Sequence, residues 1–227
     1  MEKTFVIADI HGCCQSLLEL LDYIKPDPLS DRLIFLGDYI DRGPQSREVV
    51  NEVINLKKKF PKIITLMGNH EQMLLEFLQN RDKGIFLKYG GRETLKSYGI
   101  SPPFNQNTAD LIPAEHLDFI NSLDTYWEDN DYIYVHAGLE PGINLSRQSK
   151  QWCLWGREKF INSDYDFGKT VIFGHTDRKQ PLITTNKIGI DTGAVYGGRL
   201  TCLVLPDREF ISVPGYQKSA DSEEMTA

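Results

Sequence analysis

The heptad Gly37-Asp38-Tyr39-Ile40-Asp41-Arg42-Gly43 decides how the rest of this sequence is interpreted. It follows the apolar run Leu33 to Leu36, which predicts a buried strand. The heptad combines two carboxylates three residues apart, an adjacent arginine and two glycines that free the backbone to turn. This combination indicates a loop with a chemical role at the end of the strand. Taken alone, the heptad is equally compatible with a surface turn that carries a local salt bridge.

Two other predicted strands end in the same way. The run Thr4 to Ile10 contains Asp9 and precedes His11, and the run Ile63 to Met67 precedes Gly68-Asn69-His70-Glu71. The links between these strands have helical periodicity, so the order strand, helix, strand, helix, strand predicts parallel pairing with right-handed crossovers. Ligands of such sheets lie beyond the carboxyl ends of the strands. We therefore expect the three polar loops to converge on one place.

The two linking helices have recognisable boundaries. Apolar residues recur at helical spacing from Leu17 to Ile24, and Pro26 stops the first helix. In the second helix Ser46 is the predicted N-cap, Glu48 lies in the favourable first turn, and Pro61 ends the element.

The second half of the chain repeats the rule that an apolar strand leads into a polar residue beside a glycine. The predicted strands are Tyr132 to Val135, Thr170 to Phe173, Lys187 to Ile190 and Leu200 to Leu205. The first three lead into His136-Ala137-Gly138, Gly174-His175-Thr176 and Asp191-Thr192-Gly193. The pattern does not determine the order of these strands in a sheet.

The domain organisation is predicted to be simple. Residues 1–215 are expected to form a single domain, with 79–126 as a helical insertion or cap that shapes specificity. A helix is predicted from Glu71, and another from Pro113 to Leu123 within the insertion. The polar residues 216–227 are expected to form a disordered tail.

Composition narrows the classes of protein. The 227 residues can bury a real core, and the formal net charge of -7 argues against non-specific nucleic-acid binding. No signal peptide is visible, and no apolar run approaches the ~20 residues of a membrane span. None of the four cysteines belongs to a C-x-x-C pair, so a reducing, cytoplasmic location without a membrane partner is expected.

The polar residues at the predicted strand ends form a set typical of metal ligands. They are Asp9, His11, Asp38, Asn69, His136 and His175. Oxygen and nitrogen donors without a thiolate suit Mn²⁺, Fe or Zn²⁺ better than Ca²⁺. Six ligands are too many for one catalytic ion, and they suit two ions that share a carboxylate.

The placement of the histidines supports this interpretation. A single histidine at a strand end is ordinarily structural, but four of the five histidines follow predicted strands beside Gly, Asn or Asp. These four are His11, His70, His136 and His175. The fifth, His116, lies in a predicted helix and is given no role.

Together these motifs resemble the binuclear metallophosphatases of the phosphoprotein phosphatase type, within the calcineurin-like metallophosphoesterases. The resemblance extends from Asp9 to about Gly198, and the segment Asp191 to Gly198 is similar to small bacterial and phage members, which include serine/threonine protein phosphatases. It implies an α/β fold in which two mixed β-sheets pack as a sandwich flanked by helices.

The resemblance also implies how two divalent metal ions, Mn²⁺ above all, would be held. The ligands of one ion would be Asp9, His11 and Asp38. Those of the other would be Asp38, Asn69, His136 and His175. A water shared by both ions would be the nucleophile, because two cations lower its pKa.

Catalytic roles follow from the same resemblance. His70 would donate a proton to the leaving oxygen, and Asp41 would orient it and keep it charged. Arg42 would bind the phosphoryl oxygens. Arg157 is the expected second phosphate-binding arginine, with Arg147 as the weaker candidate.

Other features near the motifs are interpreted less sharply. Tyr196 either contacts substrate or is a packed aromatic residue, and Asp191 would orient a ligand. Glu71 is expected to be structural. Cys13 and Cys14 are expected to be buried, inert thiols, with oxidation near the site as the alternative.

These expectations amount to a metal-dependent phosphomonoesterase, foremost a serine/threonine protein phosphatase, acting on a phosphorylated protein or small phosphoester. Diadenosine tetraphosphate hydrolases share the scaffold and the ligands; some lack the acid at the position of Asp41, which favours the monoesterase mildly. Phosphodiesterase activity is a third possibility. An inactive metal-binding scaffold is disfavoured, because this sequence retains every ligand and the acid.

Overall fold

The computed structural model describes residues 2–81, 83–104 and 108–217, and its ten strands form two five-stranded sheets. The first sheet contains β1 (Thr4–Ile7), β2 (Arg32–Phe35), β3 (Ile63–Thr65), β9 (Arg199–Leu205) and β10 (Glu209–Pro214). The second contains β4 (Tyr126–Glu128), β5 (Tyr132–Val135), β6 (Thr170–Phe173), β7 (Leu182–Ile183) and β8 (Lys187–Gly189). Their orders are β10-β9-β1-β2-β3 and β4-β5-β6-β8-β7.

Each sheet contains three adjacent parallel strands, as the sequence predicts for the first. Ile34 of β2 pairs with Val6 of β1 and with Ile64 of β3, both in parallel register. Strands β5, β6 and β8 are likewise parallel. The antiparallel strands β9 and β10 lie on one side of the parallel set in the first sheet, and β4 and β7 lie on its two sides in the second. The carboxyl ends of six strands therefore provide two rows of loops.

Helices cover the outer face of each sheet. They are α1 (Cys14–Ile24), α2 (Ser46–Lys59), α3 (Asn69–Leu78), α4 (Lys83–Phe86), α5 (Arg92–Ser97), α6 (Ala114–Asn121), α7 (Lys150–Trp155) and α8 (Glu158–Ile161). A π-helical turn (Leu87–Gly91) joins α4 to α5, and short 3-10 helices span Thr108–Leu111, Leu145–Arg147 and Ala194–Tyr196.

Alternation along the strands explains how the sheets pack. Val6 and Ile34 of the first sheet lie in one buried cluster with Tyr134, Ile172 and Ile188 of the second. Because successive side chains of a strand point to opposite faces, their neighbours face outward toward helices. The expected sandwich of two mixed sheets flanked by helices is confirmed.

The outward residues form two further clusters. Ile7 packs in one cluster with Leu17 of α1 and Val50 of α2. On the other side, Val171 packs with Phe160 of α8. Both faces of each sheet are thus apolar, which accounts for the continuous hydrophobic runs that mark these strands in the sequence.

Two predicted strands end two or three residues earlier than expected. The first ends at Ile7, because Asp9 (φ 52°) and His11 (φ 46°) adopt left-handed backbone conformations that a strand cannot contain. The third ends at Thr65, and Leu66 forms only an isolated bridge with Asp124. These early ends leave short loops in which the polar side chains can turn toward one another.

The starts of two helices also differ from expectation. The helix predicted from Glu71 begins at Asn69. The N-cap of α2 is Gln45, so the prediction for Ser46 is wrong. The Ser46 hydroxyl, in the first helical position, instead accepts a hydrogen bond from the backbone N–H of Asp41 at 3.0 Å. It serves the preceding loop rather than its own helix.

The predicted insertion 79–126 is mostly helical and packs into the core beside α2 and α3. Phe86, Leu95 and Ile120 belong to the same buried cluster as the first sheet's helices. Its last residue, Tyr126, lies instead in β4, which pairs antiparallel with β5. The influence of this segment on specificity stays a prediction.

Most of the predicted tail, 218–227, lies outside the described residues. At its start the backbone N–H of Tyr216 donates to the Ala194 carbonyl at 2.8 Å, which fixes this end of the described chain against the 3-10 helix. Among the described helices, none combines the length and the apolar character needed to cross a membrane.

Candidate metal centre

Left-handed backbone conformations mark the loops that build the candidate site. Besides Asp9 and His11, positive φ values occur at Asp38 (54°), Asp41 (72°) and His175 (64°). Such conformations are uncommon in residues other than glycine and persist where the surroundings impose them. Here they turn successive polar side chains into one small volume.

Glu71 holds the loop after β2 in place. Its buried carboxylate accepts hydrogen bonds from the backbone N–H groups of Asp38 (3.0 Å), Tyr39 (2.9 Å), Ile40 (3.3 Å) and Gly68 (2.9 Å). Four donors fill the lone pairs of the two oxygens. The expectation that Glu71 is structural is confirmed, and its structural task is to shape the loop that carries Asp38.

Asp38 lies at the middle of the site. Its Oδ2 is 3.3 Å from His11 Nε2, 3.5 Å from His136 Nε2 and 4.0 Å from His70 Nε2. Two groups with metal-binding geometry share this carboxylate: His11, Asp38 and His70, and Asp38, His136 and His175. The first sheet and the second sheet each provide histidines to the same aspartate.

The remaining predicted ligands lie against this group. His136 Nε2 is 2.9 Å from Asn69 Oδ1 and 3.2 Å from His175 Nδ1. The Asp9 carboxylate accepts from the backbone N–H of His175 at 2.9 and 3.0 Å. All six predicted ligands are buried and come together, although they follow five different strands.

The donor chemistry fits divalent metal ions. His11 Nδ1 lies 2.8 Å from the Ile40 carbonyl, and His136 Nδ1 lies 3.0 Å from the Leu36 carbonyl. A carbonyl only accepts, so each Nδ1 carries a hydrogen, and Nε2 is the ring atom that faces the Asp38 carboxylate. Nε2 atoms that converge on a carboxylate suit a cation between them, with the carbonyls fixing the orientation of the imidazole rings.

Burial keeps the imidazoles of His136 and His175 neutral, which is the form that binds metal. Burial is the main cause that lowers the pKa of His136 to about 4 and that of His175 to about 2. His175 Nε2 is also buried without a hydrogen-bond partner among the described residues. Neutral imidazoles with free lone pairs are the state that metal binding requires.

Negative charge accumulates at the same place. Burial, followed by the charges of Asp191 and Asp38, raises the pKa of Asp9 well above its usual range. The sequence predicts that Asp191 orients a ligand; the structure shows its Oδ1 accepting from the Gly193 N–H at 3.0 Å, which anchors its own loop. Divalent cations would offset the repulsion among these buried carboxylates.

His70 and Asp41 form a hydrogen-bonded pair at the edge of the centre. His70 Nδ1 lies 2.6 Å from Asp41 Oδ2, and Asp41 Oδ1 accepts from the Thr94 hydroxyl at 2.6 Å. Thr94 also accepts from the Asp41 backbone N–H at 2.8 Å. Sequence reasoning missed Thr94, because a threonine in a helix 53 residues away carries no signal of this contact.

The predicted phosphate-binding arginines differ in their positions. Arg42 Nη1 lies 2.6 Å from His11 Nε2, and its guanidinium carbon is 5.5 Å from the ring centre of Tyr196. Arg157 is exposed, and its charge contributes to the lowered pKa of His175. Arg147 is exposed too, and among the described residues no side-chain hydrogen bond or ion pair joins it to the centre.

The cysteines and the fifth histidine stand apart from this chemistry. All four cysteines are free and buried, and burial raises the pKa of Cys13 to about 12 and that of Cys14 to about 11. Their predicted burial is confirmed, and their inertness stays a prediction. His116 hydrogen-bonds Tyr98 and Asn51.

Comparisons with known proteins identify a matching family and several named relatives. A family model described as calcineurin-like phosphoesterase matches residues 3–178. The chain is 30% identical over 233 residues to bis(5'-nucleosyl)-tetraphosphatase PrpE, asymmetrical, of Anoxybacillus flavithermus (strain DSM 21510 / WK1), covering 92% of this chain and 93% of the relative. The protein of the same name from Bacillus thuringiensis (strain Al Hakam) is 30% identical over 237 residues, covering 93% and 94%.

Solved structures agree on the fold. One, provisionally described as a diadenosine tetraphosphatase, has a TM-score of 0.74 at 25% identity and covers 95% of both chains. A protein serine/threonine phosphatase from Saccharomyces cerevisiae has a TM-score of 0.63 at 17% identity, covering 96% of this chain and 81% of that one. At that identity the likeness shows the shared fold alone.

Proposed function

This chain belongs to the calcineurin-like phosphoesterase family, and on that premise we propose that it is a metal-dependent hydrolase of bis(5'-nucleosyl) tetraphosphates. The observation that carries the hydrolytic activity is the shared carboxylate of Asp38, with His11 at 3.3 Å on one side and His136 at 3.5 Å on the other. A bridging carboxylate between two imidazole-containing groups is the arrangement that a two-metal phosphoesterase needs.

The choice of substrate rests on the relatives. Proteins named bis(5'-nucleosyl)-tetraphosphatase match this chain over more than nine-tenths of both lengths. A cold-active protein tyrosine phosphatase and a protein serine/threonine phosphatase among the similar structures are 20% and 17% identical. This difference reverses the order expected from the sequence, in which a serine/threonine protein phosphatase came first.

Two divalent metal ions are proposed as cofactors. The residues that would hold the first are Asp9, His11 and Asp38, and those that would hold the second are Asp38, Asn69, His136 and His175. When bound, the ions would lower the pKa of a shared water and neutralise charge on the phosphoryl group. The oxygen and nitrogen donors favour Mn²⁺, with Fe or Zn²⁺ as alternatives. The four free thiols accord with a reducing, cytoplasmic location.

His70 is proposed to supply a proton to the departing oxygen. The 2.6 Å contact between its Nδ1 and Asp41 Oδ2 leaves Nε2 as the atom nearer the centre, 4.0 Å from Asp38 Oδ2. Burial lowers the pKa of His70 to about 4, so its proton has to be held by nearby negative charge. Asp38 provides that charge, and the substrate phosphates would add to it. Burial raises the pKa of Asp41 well above its usual range, so the part proposed for Asp41 is to orient the imidazole through the hydrogen bond to Nδ1.

Arg42 and Arg157 are proposed to bind phosphate oxygens. The Arg42 guanidinium lies at hydrogen-bonding distance from the predicted ligand His11, so a phosphoryl group at the centre would be within its reach. The charge of Arg157 contributes to the lowered pKa of His175, a different predicted ligand. Two guanidinium groups near the centre suit a substrate with several negative phosphates.

A phosphomonoesterase, including a protein phosphatase, is the second candidate, and the hydrogen-bonded pair of His70 and Asp41 favours it. An alkoxide leaving group is strongly basic and needs a proton as it departs. The phosphate that leaves an anhydride has a pKa of about 6 and needs less help. A well-built general acid therefore has more to contribute to ester cleavage.

The experiment compares three substrates with the full chain after metal removal and reloading with Mn²⁺. Diadenosine tetraphosphate should be cleaved at an outer anhydride, giving a nucleoside triphosphate and a monophosphate, faster than a phosphoserine peptide or p-nitrophenyl phosphate. Rapid turnover of the peptide without cleavage of the dinucleotide would establish the second candidate instead. Absence of metal-stimulated turnover on all three would indicate a scaffold without activity.

A further inference from the structure

We propose that a groove beside the metal centre, lined by Tyr89 and Tyr196, binds one nucleoside and the adjoining phosphates of a dinucleoside polyphosphate. The groove encloses about 680 Å³, within the ~300–1,000 Å³ of small-molecule sites. Its polar and aromatic lining consists of Arg42, Lys88, Tyr89, Arg92, Glu93 and Tyr196. This inference rests on the proposed function and names the residues that would select its substrate.

One side chain, Arg42, lines the groove and also contacts a residue of the centre. Arg42 lines the groove, its guanidinium lies over the Tyr196 ring at 5.5 Å, and its Nη1 is 2.6 Å from His11 Nε2. A phosphate chain that starts at the centre would therefore pass Arg42 before it reaches the two tyrosines. The order of groups matches a ligand whose reactive phosphorus is separated from its base by further phosphates.

Gly90 fixes the position of Tyr89 relative to the centre. Its φ of 109° breaks the helix between α4 and α5, and its carbonyl accepts a hydrogen bond from the Arg42 N–H at 3.1 Å. A Cβ at this position would lie 2.6 Å from the Arg42 backbone nitrogen. Only glycine lets the segment approach this closely, so the groove wall and the phosphate-binding arginine are built together.

Two exposed aromatic rings are the part of the groove suited to a base. Tyr196 is 62% exposed and Tyr89 is 46% exposed, although large aromatic side chains usually bury most of their surface. A nucleobase stacked on a tyrosine gains roughly 1–3 kcal/mol, whatever the base, since every base has a π-face. A phosphopeptide offers no comparable planar group next to its phosphate.

The charge of the groove suits phosphates. Three cations, Arg42, Lys88 and Arg92, face it with one carboxylate, Glu93, on a chain whose formal net charge is -7. Among the described residues, neither Lys88 nor Arg92 forms an ion pair. Lys88 lies with its Nζ 5.6 Å from the centre of the Tyr89 ring, where it can meet a phosphate next to a base stacked on the other face, and Arg92 can bind a phosphate beyond the reach of the centre.

A second cavity lies beside Arg157 and the rings of Trp152 and Trp155, and the centre of the Trp155 ring is 6.1 Å from that of His175. It encloses about 290 Å³, less than half the volume of the groove, and falls at the lower limit for small-molecule sites. We therefore assign the nucleoside to the tyrosine groove.

The test measures kcat/KM for diadenosine tetraphosphate and for p-nitrophenyl phosphate, which has no base, in Mn²⁺-loaded protein. The readout is kcat/KM for the dinucleotide divided by kcat/KM for p-nitrophenyl phosphate. This ratio should fall roughly 5- to 100-fold per stacked base in Tyr89→Ala, in Tyr196→Ala and in the double variant, mainly because KM for the dinucleotide rises. Tyr89→Phe and Tyr196→Phe should restore the ratio, because the ring and not the hydroxyl stacks. The matched control is Tyr23→Ala, an exposed tyrosine of α1.

A double alanine variant that folds normally and keeps the wild-type ratio would overturn the groove while leaving the proposed function intact. If the alanine variants fail to fold, Lys88→Ala with Arg92→Ala provides the second readout. Removal of two cations should raise KM for the dinucleotide at low salt, and the effect should fade at high salt. An unchanged KM at low salt would contradict the proposal.

Failure of the proposed function would look different, because the wild-type protein itself would not cleave the dinucleotide. The groove is then tested by inhibition of p-nitrophenyl phosphate turnover with ATP and with inorganic tripolyphosphate. Stronger inhibition by ATP that disappears in Tyr196→Ala would support the groove without the proposed substrate. Equal inhibition by both compounds would overturn the groove as well.

Discussion

Asp38 is the residue at which the two halves of the centre meet. Its backbone N–H is held by Glu71, its Oδ1 accepts from the His70 N–H at 3.1 Å, and its Oδ2 faces the imidazoles. These contacts fix both the backbone and the side chain. The position of the carboxylate between the histidines is therefore set before any ion binds.

Replacing this carboxylate should affect both ions. Asp38→Asn keeps the size of the side chain but removes the charge that two cations would share, so we expect both ions to be lost after equilibration with Mn²⁺. Asn69→Ala, which removes a ligand proposed for one ion only, is the comparison and should retain about one ion. Elemental analysis of the two proteins measures this, and two ions bound to Asp38→Asn would refute a bridging role.

His70 is predicted to matter in proportion to the basicity of the leaving group. His70→Asn should cut turnover of phenyl phosphate ~10²–10⁴-fold, the usual contribution of a general acid, because a phenol leaves with a pKa of about 10. Cleavage of diadenosine tetraphosphate should fall less, since a phosphate leaves with a pKa of about 6. Steady-state kinetics on both substrates checks the prediction. Loss of metal from His70→Asn would instead make it a ligand.

At the scale of elements, the segment between α4 and α5 contacts the loop after β2 through hydrogen bonds. Gly90 accepts from the Arg42 N–H, and Thr94 hydrogen-bonds Asp41 four residues later in the chain. This segment thus holds the backbone of Arg42 and the side chain of Asp41 in position, in addition to forming a wall of the groove.

Substitution of Gly90 tests this connection. Gly90→Ala forces a Cβ against the backbone of Arg42 at a φ of 109°, so we expect a stability loss of about 1–3 kcal/mol and a lowered kcat/KM. Gly99→Ala is the matched control, because Gly99 also has a positive φ (75°) but a Cβ added there would meet no atom within 4 Å. Urea unfolding of both variants measures the difference. Equal losses would show that conformational strain, and not the close approach, dominates.

His116 links three helical elements and should make their packing sensitive to pH. It lies in α6, with Tyr98 Oη 2.8 Å from its Nδ1 and Asn51 Oδ1 of α2 2.8 Å from its Nε2. Burial lowers its pKa below 6.5, so between the two pKa values the unfolded chain binds more protons than the folded one. The stability that the neutral imidazole contributes is present above pH 6.5 and declines as the pH falls.

The pH dependence can be isolated with a variant that does not titrate. His116→Gln should be less stable than the wild type at pH 7.5, and the gap in the free energy of unfolding should narrow at pH 5. Both proteins are measured in chelator, so that the histidines of the centre contribute equally to each. A gap that widens toward pH 5 would mean that the folded protein favours the charged imidazole.

At the scale of the whole molecule, the centre lies where the loops of the two sheets meet, and its ions would hold the sheets together. Asp9, Asp38 and Asp191 concentrate buried negative charge at that point. Metal removal should therefore lower the melting temperature. At a concentration 100 times the dissociation constant, each ion stabilises by about 2.7 kcal/mol, or roughly 5–10 °C for a chain of this size.

Thermal unfolding in chelator, and again after Mn²⁺ is added back, checks this expectation. Ca²⁺ at the same concentration is the control, because it prefers cages made of oxygen ligands alone. The same melting temperature in chelator and in Mn²⁺ would contradict an ion-binding centre between the sheets.

The amino-acid sequence by itself determined seven of the ten described strands, to within a few residues at their ends, and the residues that meet at the centre. It gave no sign of β4, β7 and β10, the short or polar strands at sheet edges. Apolar runs fix which segments are buried, and parallel strands bring their carboxyl ends to the same edge. Asp9, Asp38 and Asn69 could therefore be placed together without a structure. His136 and His175 joined the set because they too follow predicted strands, and the family resemblance then implied which ion each would bind.

Only the tertiary structure decided the contacts between distant segments. The hydrogen bond from Thr94 to Asp41, the capture of Ser46 by the preceding loop and the groove between Tyr89 and Tyr196 each join residues whose local sequence gives no sign of their partner. The physical reason is that periodicity and turn chemistry act over a few residues, whereas these contacts depend on how two sheets and their helices pack in space.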